Sequence, residues 1–350
     1  MRKRWPRAGI GGQAAPRTVL GARATRERGA ALLAAMLTVT LVATFAAAAL
    51  WQQWRSIEVE AAERARVQSA WVLTGAADWA RLLVREDAKA GGVDHLGEPW
   101  AVPLQEARLS SFLAADRSNT STGETGPEVF DAFLSGEIVD LQSRLNVTNL
   151  VENGTRSEAD YTSFARLFEQ LGLPPAQLDT LAENLRFALD SSPGNRSSPM
   201  APLLPQRVEQ LVWLGLGADT LAALQPFITI LPARTTVNLN TASAEVIYAT
   251  VSGLSMSDAQ RLVGARQSSP LRNIEQARQV IGAPQATFAE VPAKVGFATR
   301  YFEIHSRLRL EQMVVQERCV LLRDGSNVTI LQRQHGAADP AAVKTEPGQR

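Results

Sequence analysis

An uncharged segment of 22 residues, Ala30–Trp51, constrains this chain more than any other feature of its sequence. Its only polar side chains are Thr38, Thr40 and Thr44. At about 1.5 Å per residue, a helix of this length crosses a hydrocarbon core of about 30 Å. We therefore expect a transmembrane helix over 30–51, with the remainder of the chain folded outside the bilayer.

Charge is distributed unevenly around this segment. Residues 1–29 hold eight of the 36 Lys and Arg residues and one of the 35 Asp and Glu residues, so the rest of the chain has a formal net charge of −6. Beyond the segment, Arg55 is followed by Glu58, Glu60 and Glu63. The positive-inside rule then predicts a cytoplasmic N-terminus with the bulk of the chain on the other side. The mildly acidic remainder argues against nucleic acid as the main partner.

The N-terminal sequence allows three interpretations: a secretory signal peptide, a signal anchor, or a prepilin signal. A signal peptide has a shorter apolar core than this one. The stretch RERG-AALLAAML, a charged leader ending in Gly29 directly before an apolar helix, resembles type IV prepilin-like proteins. That resemblance implies cleavage between Gly29 and Ala30 and methylation of Ala30. Most such proteins have Glu at the fifth mature position, which is Ala34 here, and one member of the type II secretion pseudopilins characteristically lacks it.

The helix is expected to continue past the membrane. No proline occurs between Pro16 and Pro99, and Gly75 is the only glycine between Ala30 and Ala90. Apolar residues recur at helical spacing on one face, which we expect to pack on a globular head. They are Ala61, Ala65, Val72, Ala76, Trp79 and Leu83.

Two further stretches carry a more specific resemblance. Residues 136–151, GEIVDLQSRLNVTNLV, resemble the D-x-Q-x-R-x-N-x-N-L signature of the general secretion pathway protein K family, the largest minor pseudopilin of type II secretion, with one extra residue before the second Asn. Residues 227–247, FITILPARTTVNLNTASAEVI, resemble the same family. The matching residues are Asp140, Gln142, Arg144, Asn146, Asn149, Leu150, Asn238, Asn240 and Thr241. Thr241 is also placed to cap a helix that begins at Ala242.

The remaining pattern is helical first and extended last. Residues 161–173 and 174–189 predict helices, 190–206 a linker, and 207–231 two short helices. Residues 301–310 alternate, with Phe302, Ile304, Leu308 and Leu310 on one face, and a hairpin is expected around Asp324-Gly325.

Pattern and resemblance together predict an α+β fold with a long N-terminal transmembrane helix, a pilin-like head with an antiparallel sheet, and an inserted all-α domain of the helix-hairpin-helix or SAM-like type. The expected boundaries are a basic leader at 1–29, the membrane helix at 30–51, an amphipathic helix and the first part of the head at 52–147, the insertion at 148–295, the C-terminal strands of the head at 296–334, and a disordered tail at 335–350.

Catalytic chemistry is not expected. The three histidines (His95, His305 and His335) are scattered, and Cys319 lies in an apolar strand pattern. We predict no catalytic residue, cofactor or metal site. In the resembling family an acidic loop near the linker is associated with calcium, but here Asp190 is the only acid before Glu209, so calcium binding is not expected.

Residues 237–282 also resemble a helix-hairpin-helix unit of membrane-anchored competence proteins that bind DNA. Against DNA binding, Ser255 replaces the second glycine of the hairpin, and residues 237–292 hold four arginines and four acids. A membrane-anchored DNA-binding protein and a minor pilin of a type IV pilus are the alternative functions.

The protein K resemblance implies a subunit that caps or initiates the tip of a periplasmic pseudopilus during export of folded proteins. Implied partners are minor pseudopilins of types I and J, bound through the N-terminal helix, together with the prepilin peptidase, the inner-membrane secretion platform and exoprotein cargo. Nucleic acid is not expected among them. The implied location is the inner membrane, single-pass, with the bulk of the chain in the periplasm.

Overall fold

The computed structural model describes residues 27–109, 132–190, 192–196, 198, 200–282, 294–310 and 313–337. The chain divides into two compact units, one ending at Ala65 and the other beginning at Arg66. The predicted leader up to residue 26 and the tail beyond Ala337 lie outside the described residues. So does the polar stretch SNTSTGETGPE at 118–128, whose composition is typical of an exposed turn.

Helix α1 spans Glu27–Ala90. Its N-terminal part is fully exposed, and it is long and apolar enough to cross a membrane. The hydroxyls of Thr38, Thr40 and Thr44 each donate to the carbonyl oxygen three residues earlier, at 2.8–2.9 Å. These polar groups are therefore satisfied within the helix, as a hydrocarbon environment requires.

The unit beginning at Arg66 contains a five-stranded antiparallel sheet in the order β1-β2-β9-β10-β11. The bounds of its strands are β1 Leu104–Arg108, β2 Ala132–Asp140, β9 Tyr301–Leu310, β10 Met313–Asp324 and β11 Asn327–Ala337. A short 3₁₀ helix, Pro99–Ala101, lies between α1 and β1. Helix and antiparallel sheet together confirm the predicted α+β class.

The second half of α1 packs on this sheet, but through a different face from the predicted one. Its buried apolar residues are Leu73, Ala77, Ala80 and Val84. The predicted face is only half-buried at Val72, Ala76 and Leu83, and Trp79 is exposed. Because consecutive helical residues differ by about 100°, the packed face is rotated by roughly a quarter turn from the expected one.

The core between α1 and the sheet is small and aromatic. Ala77, Ala80 and Val84 contact a cluster that includes Trp100 and Phe302. The ring centroids of these two aromatics lie 5.1 Å apart in an edge-on arrangement. This geometry is favourable for aromatic pairs and fixes the 3₁₀ turn against β9.

Between β2 and β9 lie short helices around a separate, larger core. The helices are α2 Glu158–Gln170, α3 Pro175–Leu189, α4 Pro193–Arg196, α5 Ala218–Leu224, α6 Ala244–Thr250, α7 Met256–Ser268 and α8 Ile274–Ile281, with 3₁₀ helices at Leu141–Ser143, Val147–Leu150 and Val208–Leu214. The same region contains three pairs of two-residue strands. They are β3 Leu145–Asn146 with β6 Ile228–Thr229, β4 Val151–Glu152 with β5 Thr155–Arg156, and β7 Val237–Asn238 with β8 Val295–Gly296. The domain boundaries proposed from the sequence stay a prediction.

Three local expectations are corrected. The hairpin between β10 and β11 turns at Gly325-Ser326, because Asp324 pairs with Asn327 and Gly325 has a positive φ of 58°. Strand β11 runs to Ala337, past the predicted start of the tail at His335. Helix α6 begins at Ala244 rather than 242.

Candidate functional site

Asp140, the last residue of β2, holds a buried carboxylate among uncharged donors. Its Oδ2 accepts hydrogen bonds from Thr241 Oγ1 at 2.5 Å and Thr299 Oγ1 at 2.6 Å. Asn238 Nδ2 donates to the same oxygen at 3.1 Å, and the backbone N–H of Gln142 donates to Oδ1 at 2.6 Å. Burial raises the pKa of the Asp140 carboxyl to about 6, although these hydrogen bonds lower it. One carboxylate therefore joins the end of β2 to the middle of the insertion and to the segment directly before β9.

Thr241 thus has a different role from the predicted helix cap. Its hydroxyl bonds the Asp140 carboxylate, and Ser243 caps α6 by accepting the backbone N–H of Val246. The capping expectation was wrong because Thr and Ser are both good caps, and sequence spacing does not reveal which of the two has a distant partner.

Gln142 connects the middle of the insertion to the segment directly before β9. Its Nε2 donates to the carbonyl oxygen of Thr236 at 3.0 Å, and its Oε1 accepts the backbone N–H of Arg300 at 2.7 Å. The side chain is 4% exposed. A buried amide that satisfies both of its functional ends fixes the geometry of both partner segments.

Asn146 and Asn149 bind one loop through its backbone. Asn146 Nδ2 donates to the carbonyl of Ala233 at 2.8 Å, and its Oδ1 accepts the N–H of Leu231 at 3.1 Å. Asn149 pairs in both directions with the backbone of Thr235, at 2.8 and 3.2 Å. The first signature stretch therefore holds part of the backbone of the second.

Asn238 and Asn240 complete the network. Asn238 Nδ2 contacts the Asp140 carboxylate and the carbonyl oxygen of Asp94, and its Oδ1 accepts the N–H of Asn240 at 3.0 Å. The side chain of Asn240 donates to and accepts from the backbone of Leu271, both at 2.8 Å. The structure thus brings together residues about a hundred positions apart and gives most of the signature a structural role.

Arg144 is the exception among the signature residues. Within the described residues its guanidinium forms neither a hydrogen bond nor an ion pair within 4 Å, and it is half-buried at a cleft on the outer face of the sheet.

An acidic group next to the network was missed by sequence reasoning. Ligand-type oxygens of Asp87, Asp94 and Glu98 lie within 4.8 Å of one another. Arg323 Nη1 lies 2.7 Å from Asp87 Oδ2, and Nη2 bonds the carboxylate of Asp94, so one guanidinium pairs with two of the three acids. Burial, together with the charges of Glu98 and Asp94, nevertheless raises the pKa of Asp87 to about 6. The three acids are close together in sequence, but local spacing could not reveal their pairing with Arg323, which is 229 residues from Asp94.

Asp190, the single acid of the predicted linker, is exposed. Its Oδ1 accepts the backbone N–H of Ser192 at 2.9 Å, and this bond lowers the pKa of the Asp190 carboxyl. In the described part of the chain no group of three potential metal ligands includes Asp190. The expectation that calcium is not bound stays a prediction.

The hairpin between α6 and α7 is not arranged to bind phosphate. At the start of α7 the Asp258 carboxylate accepts the N–H and the hydroxyl proton of Ser255, which places negative charge where a phosphate would need donors. Arg166 donates to the carbonyl oxygens of Val251 and Leu254 in the turn itself, at 2.8 and 3.1 Å. The turn is therefore occupied by internal contacts, which weighs against the DNA-binding alternative.

The processing residues lie apart from the network, in the unit that ends at Ala65. Gly29, Ala30 and Ala34 are exposed in the first turns of α1, and a Cβ added at Gly29 would meet no atom within 4 Å.

Comparison with known proteins agrees with both signature stretches. Two family models described as "Type II secretion system (T2SS), protein K" match residues 143–233 and 237–300. Type II secretion system protein K of Pseudomonas aeruginosa is 26% identical over 306 residues, covering 81% of this chain and 85% of the relative. Its namesakes in Pectobacterium carotovorum and Dickeya chrysanthemi are each 22% identical and cover 89% of this chain and 97% of their own.

Among solved structures, a chain of the GspK-GspI-GspJ complex from the enterotoxigenic Escherichia coli type 2 secretion system has the same fold. The TM-score is 0.62 at 16% sequence identity, covering 79% of this chain and 99% of that one. The family matches fall on the segments that the buried network joins, and the apolar helix fits a single-pass membrane anchor. This chain belongs to the type II secretion system protein K family and is a minor pseudopilin of type II secretion.

Proposed function

We propose that the chain is made as a prepilin, cut between Gly29 and Ala30, and methylated on Ala30. One observation carries the proposal: the charge-free segment begins at Ala30, directly after the leader glycine, and lies within helix α1. Exposure of Gly29, with no neighbouring atom within 4 Å of an added Cβ, is compatible with access by a prepilin peptidase.

The proposed location is the inner membrane, with a cytoplasmic N-terminus and the head in the periplasm. The excess of basic residues in 1–29 supports this orientation. Trp51 and Trp54, with ring centroids 5.6 Å apart, are suited to the periplasmic interface of the inner membrane.

Two features support a position at the tip of the pseudopilus. Ala34 leaves the helix without the carboxylate that would neutralise the N-terminal amine of a subunit ahead of it. The insertion between β2 and β9 adds bulk that would obstruct another subunit stacked above. Both features suit a subunit that initiates or caps the assembly during export of folded proteins.

Partner minor pseudopilins of types I and J are proposed to pack against α1 next to the sheet. The apolar face predicted from the sequence, including Val72, Ala76 and Leu83, lines an apolar groove of about 390 Å³ with Leu104 and Ile138. We call this the helix groove. Trp71, at its rim, is 73% exposed. An apolar partner helix laid in the groove would bury these side chains at about 25 cal/mol per Å².

The prepilin peptidase, the inner-membrane secretion platform and exoprotein cargo are further proposed partners, and no enzymatic activity is proposed. The thiol of Cys319 supports a structural rather than a reactive role. It is 1% exposed, donates to Glu317 Oε1 at 3.2 Å, and burial raises its pKa to about 12.

Mass spectrometry of the N-terminus tests the processing proposal. Co-expression of the full chain with a prepilin peptidase should remove residues 1–29 and leave a methylated Ala30, whereas expression without the peptidase should leave the leader in place. Gly29→Val should block the cut, because a branched side chain replaces hydrogen at the cleavage position. Gly75→Ala, at the next glycine of α1, is the matched control and should be processed normally. Cleavage near Leu50, or no cleavage at all, would contradict the proposal.

A further inference from the structure

Three adjoining cavities lie between the insertion and the outer face of the sheet. Their volumes are about 600, 70 and 220 Å³. The first two share Arg207 and Arg318, and the last two share Arg144, Glu303 and Arg318. The three cavities share walls, and we call them together the arginine cleft; it is lined by Arg144, Arg207, Arg307 and Arg318.

The carboxylates around this cleft already have cationic or imidazole neighbours. Glu303 lies 2.8 Å from His305 and 3.4 Å from Arg318. Glu209 lies 3.7 Å from Arg318, and Glu137 lies 3.1 Å from His305. A further carboxylate, on Glu317, lies within 4 Å of both Arg333 and His335.

Glu303 shows the effect of this cationic surrounding. Burial alone raises the pKa of its carboxyl, but the hydrogen bond from His305 and the charges of His305, Arg318 and Arg144 outweigh burial. The pKa of Glu303 therefore lies below its ordinary value.

Two arginines of the cleft remain without a partner in the described residues. Neither Arg144 nor Arg307 forms a side-chain hydrogen bond or an ion pair within 4 Å, and both are half-buried. Arg207 is exposed at the same cleft and forms no ion pair with a described residue. A half-buried guanidinium offers up to five donors and lacks full hydration, so it favours an external acceptor.

We propose that the arginine cleft binds an acidic segment of a partner protein, whose carboxylates pair with Arg144 and Arg307. Arg144 and Glu303 line the same two cavities, and Arg307 lies four residues beyond Glu303 on β9, a distance of about 13 Å from Glu303 at 3.3 Å per residue. An extended segment of about four residues with carboxylates near its two ends spans this distance. The cleft also contains carboxylates of its own, which would repel a continuous phosphate chain but fit between the separated charges of a peptide.

Fluorescence anisotropy with a labelled peptide of about six residues, with two glutamates about four residues apart and uncharged residues between them, tests the proposal on the full chain in detergent micelles. The peptide should bind, and binding should weaken as salt rises and the Debye length shortens. Arg144→Gln and Arg307→Gln should each weaken binding about three- to fivefold, the range for one partly exposed ion pair.

Arg309→Gln is the matched control. Arg309 lies on the same strand but pairs with Glu106, so its loss should leave peptide affinity unchanged. Circular dichroism establishes that each variant is folded. The proposal is overturned if the wild-type chain does not bind the peptide, or if both cleft variants bind it as tightly as wild type. It is also overturned if Arg309→Gln weakens binding as much as the cleft variants do, or if an oligonucleotide of equal charge binds more tightly than the peptide.

Discussion

Asp140 illustrates how one residue can hold two parts of this molecule together. Its carboxylate is buried, and no cation lies among its hydrogen-bond donors. These donors come from the residues directly after β2, from the middle of the insertion and from the segment directly before β9. Removing a buried acceptor would leave these donors unsatisfied at a cost of about 1–3 kcal/mol for each group. The residue is therefore a joint between the sheet and the insertion.

The pKa of Asp140 gives this joint a dependence on pH. In the folded chain the pKa is raised from 3.8 to about 6, so folding favours the protonated carboxyl. Its stabilising contribution is fully present below the unfolded pKa and is lost as pH rises through about 6, a change of about 2–3 kcal/mol. We expect the free energy of unfolding of wild type to fall, relative to that of Asp140→Asn, between pH ~4 and pH ~7. Urea denaturation at several pH values measures the difference. A difference that does not vary with pH for Asp140→Asn would contradict the account.

At this scale the sequence identified which residues matter but not what they do. Asp140, Gln142, Asn146, Asn149, Asn238 and Asn240 were selected by resemblance, and the structure joins them in one network. Their bonds run mainly to backbone groups of distant segments, and backbone groups carry no sequence signal. The ion pairs of Arg323 were missed because Asp87 and Asp94 lie 236 and 229 residues away in sequence.

Among the elements, α1 was predicted well in extent and less well in orientation. Absence of proline and of most glycines predicted its length, which the structure gives as Glu27–Ala90. The packed face was misjudged because alanine is compatible with either face, and the apolar stripe through Val72 and Leu83 lines the helix groove instead of the core. A helix with two apolar faces can serve both its own sheet and a partner.

A pair of leucines on α1 tests which face packs. Leu73 is fully buried, whereas Leu82 is 42% exposed. Leu73→Ala should lower the free energy of unfolding by about 2–4 kcal/mol, the range for a leucine removed from a core, and Leu82→Ala by less than about 1 kcal/mol. Chemical denaturation in detergent compares the two variants. Equal losses would show that the buried face has been assigned incorrectly.

The strands were easier to predict than the helical faces. Alternation over 301–310 placed Phe302 and Ile304 on the core side, and both are buried in the cluster beneath α1. The burial itself alternates only in the second half of the strand, since Tyr301 and Glu303 on the opposite face are also buried. The pairing of β2 with β9 could not be anticipated, since about 160 residues separate the two strands.

For the whole molecule, the order of helices and strands along the chain could be predicted, whereas the contacts between distant segments could not. A long helix first, short helices next and strands last is an order that predicts the α+β class, and the structure confirms this class. The large core of the insertion accounts for its compactness, and the Asp140 network accounts for its attachment to the sheet. Neither the helix groove nor the arginine cleft could be predicted, because each is built from segments that are distant in sequence.

The central claim is that this protein K family member assembles with other minor pseudopilins through α1. Co-isolation of the processed chain from detergent-solubilised membranes with the minor pseudopilins of its own secretion system tests this most directly. Wild type should retain type I and type J partners, and Trp71→Glu should lose most of them, since it places a charge at the rim of the helix groove. Trp213→Glu, at another exposed tryptophan in the 3₁₀ helix Val208–Leu214, should retain them. Failure of wild type to retain these partners, or undiminished retention by Trp71→Glu, would contradict the account.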